Sequence, residues 1–136
     1  FIEDLTVGQT ESFAKTVTDA DITLYAGISG DTNPVHLDDE FAAESMFKGR
    51  IAHGMLSAAF ISAVLGARMP GPGAIYLSQT LCFKAPVRPG DTVTAVAEVT
   101  DINLEKRRVT LKTTCLVKGK PVVEGEAMVM PPSRNA

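Results

Sequence analysis

The stretch "GMLSAAFISAVLGARM", residues 54–69, is apolar almost all the way round a helix, with interruptions only at Ser57, Ser62 and Arg68. A surface helix keeps one polar face toward solvent, so a helix with this pattern must be covered by other elements. The run "PGPG" at 70–73 ends it, because proline cannot continue a helix and glycine favours a turn. The pattern therefore predicts one long central helix.

Beyond this helix the apolar period changes to two, which is typical of half-buried strands. Strands are predicted over 74–85, 91–100, 108–117 and 121–130. The short polar links between the last three strands predict an antiparallel meander with one buried face and one solvent-exposed face. In each of the first three predicted strands, one set of side chains is expected to share a face: Ile75, Leu77, Leu81 and Phe83; Val93, Ala95, Ala97 and Val99; Val109, Leu111, Thr113, Cys115 and Val117.

The first half of the chain is mainly helical. A strand is predicted over 11–17, followed by a helix with Thr18 as its N-cap and Gly30 as its stop, and a short helix over 38–47. One apolar helix and about five antiparallel strands have one obvious packing, in which a curved sheet wraps around the helix. We therefore expect an α+β fold.

Composition limits the classes of function. The chain has 136 residues, enough for one domain over 1–136, and 45% of them are hydrophobic. The net charge is -3 and no segment is strongly basic, which argues against a surface that binds nucleic-acid phosphates. Cys82 and Cys115 lie in apolar strands without metal-ligand spacing, so two buried free thiols in a reducing compartment are expected.

Targeting signals are not visible in the sequence. The opening "FIEDLTVGQ" has early acids and no basic region, although it also lacks an initiator methionine. The longest apolar run, residues 51–69, contains His53 and Arg68 and is short for a membrane span. We expect a cytoplasmic protein.

The polar run "GDTNPVHLDDEF", residues 30–41, is the first candidate site. On a regular helix Asp31 and His36 would lie about 140° apart and could not converge. Pro34 prevents a regular helix and biases Asn33 toward an extended conformation, so a bent segment can direct both side chains into one space. Asp31 and His36 are therefore candidates for a catalytic acid–base pair.

Two other interpretations of this run stay open. It could be an ordinary loop, with a turn acid, an Asn-Pro turn, a helix cap and a surface histidine. A metal site that uses His36 and His53 is disfavoured because zinc-like ligand spacing is missing.

Gly54 is the second candidate feature. It stands at the start of the apolar helix, where the first N–H groups have no partner within the helix and carry partial positive charge. Without a side chain, it leaves room for a ligand carbonyl that gains negative charge during a reaction. The alternative is that Gly54 only lets two backbones pack closely.

Together these motifs resemble the MaoC-like dehydratases, which have the hot-dog fold. The resemblance rests on D-x-N-P-x-H at 31–36, "AHGML" at 52–56, the apolar helix and "IYLSQTLCFKAPVRPGDTV" at 75–93. Within that family the pattern is similar to the (R)-specific enoyl-CoA hydratases that feed polyhydroxyalkanoate synthesis. It covers nearly the whole chain.

The resemblance implies a homodimer whose two sheets join into one, and reversible syn hydration of trans-2-enoyl-CoA to (R)-3-hydroxyacyl-CoA. It implies no metal, nicotinamide or other redox cofactor, since nothing is oxidised. Asp31 and His36 match the family's catalytic pair, with Asp31 expected as base and His36 as acid. The matching substrate-binding positions are the amide of Gly54, the helix residue Ser62 and, as a positioning residue, Asn33.

The acyl chain would lie between the central helix and the sheet, with Met55 and Gln79 among its candidate walls. Gln79 interrupts an apolar strand face, so it either contacts the polar part of the ligand or bonds to the protein itself. Two other functions remain: a hot-dog acyl-CoA thioesterase, which would release thiol, and a non-catalytic acyl-CoA-binding domain. An acid and a histidine in one loop favour water addition over thioester hydrolysis.

Overall fold

One long helix packs against an antiparallel sheet of six strands. The computed structural model describes residues 1–135 of the chain. The strands are β1 Thr10–Thr16, β2 Ile75–Gln79, β3 Cys82–Phe83, β4 Thr92–Asn103, β5 Arg108–Val117 and β6 Lys120–Met130. The α-helices are α1 Asp19–Ser29, α2 Pro34–Leu37, α3 Asp39–Ala43 and α4 Gly54–Ala67, and a 3-10 turn covers Ile2–Asp4. The predicted α+β class and the central helix are confirmed.

The sheet has the strand order β1-β4-β5-β6-β2, and β3 pairs with β6 beside β2. All pairs are antiparallel, so the meander predicted for the last three strands is confirmed. Helix α4 contacts β1, β4, β5 and β6. The alternate residues of β4 form the centre of the core, fully buried as predicted: Val93, Ala95, Ala97 and Val99.

Helix α1 begins and ends where its caps predict. The Thr18 hydroxyl accepts the amide of Asp21 at 3.1 Å, and the Asp21 carboxylate accepts the amide of Thr18 at 2.9 Å. At the other end Gly30 adopts a left-handed conformation with φ 79°. Lys15 of β1 also contacts the Asp21 carboxylate, at 2.6 Å. The hydrogen bonds from Lys15 and from the Thr18 amide lower the pKa of Asp21.

The prediction of one strand over 74–85 is wrong. The segment forms two short strands, because β2 ends at Gln79 and Thr80 crosses close over β6. A β-carbon at Gly125 would lie 1.8 Å from the carbonyl oxygen of Thr80, so only glycine permits this crossing. Three residues of the face predicted to be buried are substantially exposed within the single chain: Ile75, Leu77 and Phe83.

Helix α4 is not covered on every side by its own chain, which corrects the prediction from its composition. One stripe remains exposed and consists of Met55, Ala59, Ser62 and Gly66. Spacings of four, three and four residues place these positions on one face. The opposite face is buried in the core and includes Leu56, Ile61, Val64 and Leu65.

The two cysteines have different environments, so the prediction that both are buried is wrong for Cys82. Cys82 is exposed on β3, whereas Cys115 of β5 is fully buried. Burial raises the pKa of the Cys115 thiol to about 12, and its Sγ donates to the carbonyl of Ser57 at 3.4 Å. Among residues 1–135, no helix has the length and apolar character needed to cross a membrane.

Candidate active site

A bent segment that runs from the end of α1 through α2 carries the predicted acid and imidazole. Gly30 ends α1, and Pro34 begins the single turn of α2, where its missing N–H would have had no partner within the helix. The Asn33 side chain caps this turn by accepting the amide of Val35 at 3.2 Å. Pro34 thus interrupts the regular helix as predicted, but it also starts a helical turn that was not predicted.

Asp31 and His36 converge. A carboxylate oxygen of Asp31 and a ring nitrogen of His36 lie within 4.8 Å of each other. Asp31 Oδ1 accepts the amide of Asn33 at 3.2 Å, which orients the carboxylate. His36 is 8% exposed, and its Nδ1 donates to the carbonyl of Ile51 at 2.8 Å, so Nε2 is left for chemistry. The convergence predicted from the bent segment is confirmed.

His53 joins this pair, a role that the sequence did not reveal. Its ring stacks on His36 with centroids 3.9 Å apart, and its Nε2 lies 2.9 Å from the main-chain oxygen of Asp31. Tyr25 contacts the ring of His53 from α1, at a centroid distance of 4.8 Å. The only local signal was a histidine directly before Gly54, which was considered as a metal ligand alone.

Gly54 is the first residue of α4, and no side chain caps the amides of this helix end. Its own N–H donates no hydrogen bond to any of residues 1–135. The reason for glycine is visible beside it, because an added β-carbon would lie 2.6 Å from Cε1 of the Phe83 ring. The close neighbour of Gly54 is thus a side chain and not a second backbone, as the alternative interpretation had it, while the role of its free amide in ligand binding stays a prediction.

These groups open onto one cavity of about 390 Å³. Four predicted site residues line it: Asp31, His36, Gly54 and Met55. The rest of its wall is mainly apolar and comes from the segment before α4, from α4 itself, from the β3 region and from β6: Phe47, Ile51, Ala52, His53, Ser57, Phe83, Lys84, Ala85, Pro86, Val87 and Val123. An acid, an imidazole and a helix N-terminus thus face one mostly apolar space.

The other three predicted binding residues do not line this cavity. Asn33 caps α2, and Ser62 lies on the exposed stripe of α4. Gln79 bonds to the protein itself, because its Nε2 donates to Thr80 at 2.7 Å and to the Thr113 hydroxyl at 2.9 Å. Its location thus matches the second interpretation of Gln79, while the binding roles of Asn33 and Ser62 stay predictions.

Asp31, His36 and His53 also have ligand atoms within 4.8 Å of one another, a spacing from which a metal site could be built. Imidazoles bind metals through lone pairs in the ring plane. Here the ring planes are stacked at an angle of 29°, and one nitrogen of each ring already contacts a main-chain carbonyl. This geometry favours a hydrogen-bonded cluster.

Comparison with known proteins places the chain in a family. Residues 5–124 match the family described as "MaoC like domain". The chain is 60% identical over 135 residues to an (R)-specific enoyl-CoA hydratase of Rhodospirillum rubrum, covering 99% of this chain and 94% of that protein. It is 50% identical to a 3-hydroxybutyryl-CoA dehydratase of Methylorubrum extorquens, covering 99% of this chain and 86% of that protein.

The fold agrees with these matches. The solved structure of an (R)-hydratase from A. caviae involved in PHA biosynthesis has a TM-score of 0.92 at 44% identity, covering 96% of this chain and 99% of that one. The helix packed on a six-stranded antiparallel sheet is therefore the hot-dog arrangement that the motifs implied. With a family match over most of its length and close relatives in both sequence and structure, the chain belongs to the MaoC-like dehydratase family.

Proposed function

We propose that this protein is an (R)-specific enoyl-CoA hydratase, which adds water reversibly to trans-2-enoyl-CoA and gives (R)-3-hydroxyacyl-CoA. The observation that carries the proposal is the shared cavity of Asp31, His36 and the Gly54 end of α4. An acid–base pair alone would fit many reactions. Its combination with a free helix amide suits a substrate that must be polarised at one atom while water adds at another.

The Gly54 amide polarises the substrate in this proposal. The double bond of an enoyl thioester becomes electrophilic at C3 when negative charge moves onto the thioester oxygen. The N–H of Gly54 and the positive end of α4 stabilise that charge, and one such donor contributes about 3–4 kcal/mol at the transition state. The apolar wall around the amide strengthens this interaction because it excludes water.

Asp31 and His36 hold the reacting water. A water with two hydrogen bonds of about 2.8 Å joins groups roughly 4.5 Å apart, which is compatible with their separation of at most 4.8 Å. Asp31 removes one proton from the water as the water oxygen attacks C3, and the imidazolium form of His36, with protons on both ring nitrogens, delivers its Nε2 proton to C2. The Ile51 carbonyl accepts from Nδ1 in both protonation states of His36, so the ring keeps its orientation.

Asp31 and His36 lie in one segment on one side of the cavity, so the hydroxyl group and the proton are added to the same face of the alkene. The pair is left with a proton on Asp31 and none on Nε2 of His36, and transfer of one proton within the pair restores the starting state. Reversal of these steps is the dehydration. The chemistry proposed here needs no redox cofactor, since no electrons leave the substrate.

We also propose that the protein is a homodimer. The exposed stripe of α4 and the exposed residues Ile75, Tyr76 and Leu77 of β2 give one chain uncovered apolar surface on its helix and at its sheet edge. β2 is the last strand in the sheet order and pairs with β6 alone, so a second copy can extend the sheet there. Sedimentation analysis should give twice the chain mass, and a monomer at micromolar concentration would refute this part.

The reaction is tested with purified protein and enoyl-CoA substrates of increasing length, starting from crotonyl-CoA. We expect loss of the conjugated thioester absorbance without release of free thiol, and chiral chromatography should give the (R)-product. Thiol release from a saturated acyl-CoA would identify a thioesterase instead. Binding of substrate without turnover would leave only an acyl-CoA-binding domain, and an (S)-product would contradict the proposed geometry.

A further inference from the structure

His53 is a buried polar side chain of the site, yet the proposed reaction assigns it no step. It is 2% exposed and is the N-cap residue of α4, immediately before Gly54. Its ring contacts the other half of the site through the carbonyl of Asp31 and the ring of His36. One residue therefore connects the helix end that would bind the thioester to the segment that would activate water.

The contacts of His53 define its protonation. The Asp31 main-chain oxygen can only accept, so Nε2 of His53 must carry the proton of this 2.9 Å hydrogen bond. Nδ1 is fully buried and has no hydrogen-bond partner among residues 1–135. A proton there would leave a buried charged donor unsatisfied, next to the positive end of α4. His53 is therefore neutral, with its single proton on Nε2.

His36 has the opposite tautomer. Its Nδ1 donates to the carbonyl of Ile51, so in the neutral ring the free lone pair is on Nε2. The two stacked imidazoles, which are the only histidines in the chain, thus have different roles. His36 keeps one nitrogen available for proton transfer, whereas the proton-bearing nitrogen of His53 is committed to the main chain.

We propose that His53 is a positioning residue, which holds the Asp31 segment at a fixed distance from the Gly54 amide through its Nε2–H hydrogen bond to the Asp31 carbonyl. This inference rests on the proposed hydratase function. The hydration needs C3 near the Asp31 carboxylate while the thioester oxygen contacts Gly54, and only a few bonds separate these substrate atoms. A displacement of about 1 Å between the two halves lowers such a rate by about 100-fold.

Two substitutions separate the hydrogen bond from the ring. His53→Phe keeps an aromatic ring that can stack on His36 but has no donor for Asp31. His53→Gln loses the ring but places an amide N–H near the position of Nε2. With crotonyl-CoA we expect His53→Phe to lower kcat by about 100-fold with KM within about threefold, because substrate still binds the cavity while its two ends are misaligned.

His53→Gln should recover kcat to within about tenfold of the unchanged protein. Equal kcat in the unchanged protein and both variants would overturn the inference. An equal loss of kcat in both variants, at an unchanged unfolding temperature, would also overturn it, because it would indicate a packing role for His53. Loss in the glutamine variant alone would assign the effect to the ring and also overturn it. An unchanged protein that does not hydrate crotonyl-CoA would instead refute the proposed function.

A measurement on the unchanged protein covers the case in which a variant fails to fold. Long-range ¹H–¹⁵N correlation spectra distinguish the two imidazole tautomers, and the chain has two histidines to assign. In spectra recorded with both rings neutral, we expect the proton of His53 on Nε2 and that of His36 on Nδ1. A proton on Nδ1 of His53, or rapid exchange between its tautomers, would overturn the inference.

Discussion

Replacement of Gly54 by alanine should separate activity from stability at this site. A β-carbon at this position would lie 2.6 Å from Cε1 and 2.7 Å from Cδ1 of Phe83. Carbon atoms pack at about 3.5–4.0 Å, so the ring and the helix end must move apart by about 1 Å. Both line the cavity, and a displacement of this size at the thioester amide should lower kcat/KM by about 100-fold, or about 2.7 kcal/mol of transition-state stabilisation.

The fold should tolerate the same change. The side chain of Phe83 is 52% exposed in the single chain, so its ring can turn outward, and the cost should be near the lower end of overpacking effects, about 1 kcal/mol. Alanine also favours the helix over glycine, which offsets part of that cost. The expected variant is therefore folded, nearly as stable as the unchanged protein and largely inactive.

The assay combines crotonyl-CoA hydration with denaturant unfolding followed by circular dichroism. Gly27→Ala is the matched control, because Gly27 lies within α1 and an added β-carbon there meets no atom within 4 Å. The control should stabilise the protein by about 0.5–1 kcal/mol and leave kcat/KM unchanged. The reasoning is refuted if Gly54→Ala keeps kcat/KM within about threefold, or if its activity falls only in proportion to its folded fraction.

Three further predictions follow from single groups. Asp31→Asn should lower kcat by about 10²–10⁴-fold with little change in unfolding temperature, because asparagine keeps an acceptor for the loop amide but cannot act as base; kcat near that of the unchanged protein would exclude Asp31 as the base. Asp21→Asn should cost about 1 kcal/mol at neutral pH, since it weakens the cap of α1 and removes the ion pair with Lys15. The pKa of Asp21 is lower in the folded protein than in the unfolded chain, so its contribution is present above the unfolded pKa of about 4 and is lost as the pH falls through the folded pKa. Urea titrations in which the difference between the two proteins does not shrink as the pH falls below about 4 would contradict this. A thiol reagent at neutral pH should modify Cys82 first, because burial raises the pKa of Cys115 to about 12, and mass spectrometry showing both modified at one rate in folded protein would refute the assignment.

Features that depend on neighbouring residues could be predicted from the sequence. The ends of α1 follow from Thr18 and Gly30, whose capping bonds reach only a few residues along the chain. The meander of β4, β5 and β6 follows from side chains that alternate between two faces of each strand. The convergence of Asp31 and His36 was accessible too, because the kink at Pro34 lies between them.

Features that depend on distant residues were not predictable from such patterns. The strand predicted over 74–85 is interrupted between β2 and β3 because Thr80 packs onto Gly125, and the alternation of apolar residues cannot reveal that contact. The exposed stripe of α4 carries no charged residue, so the nearly continuous apolar run did not separate it from the buried face. His53 acquires its role from a carbonyl 22 residues earlier, so only the packing of α4 against the Asp31 segment shows that role.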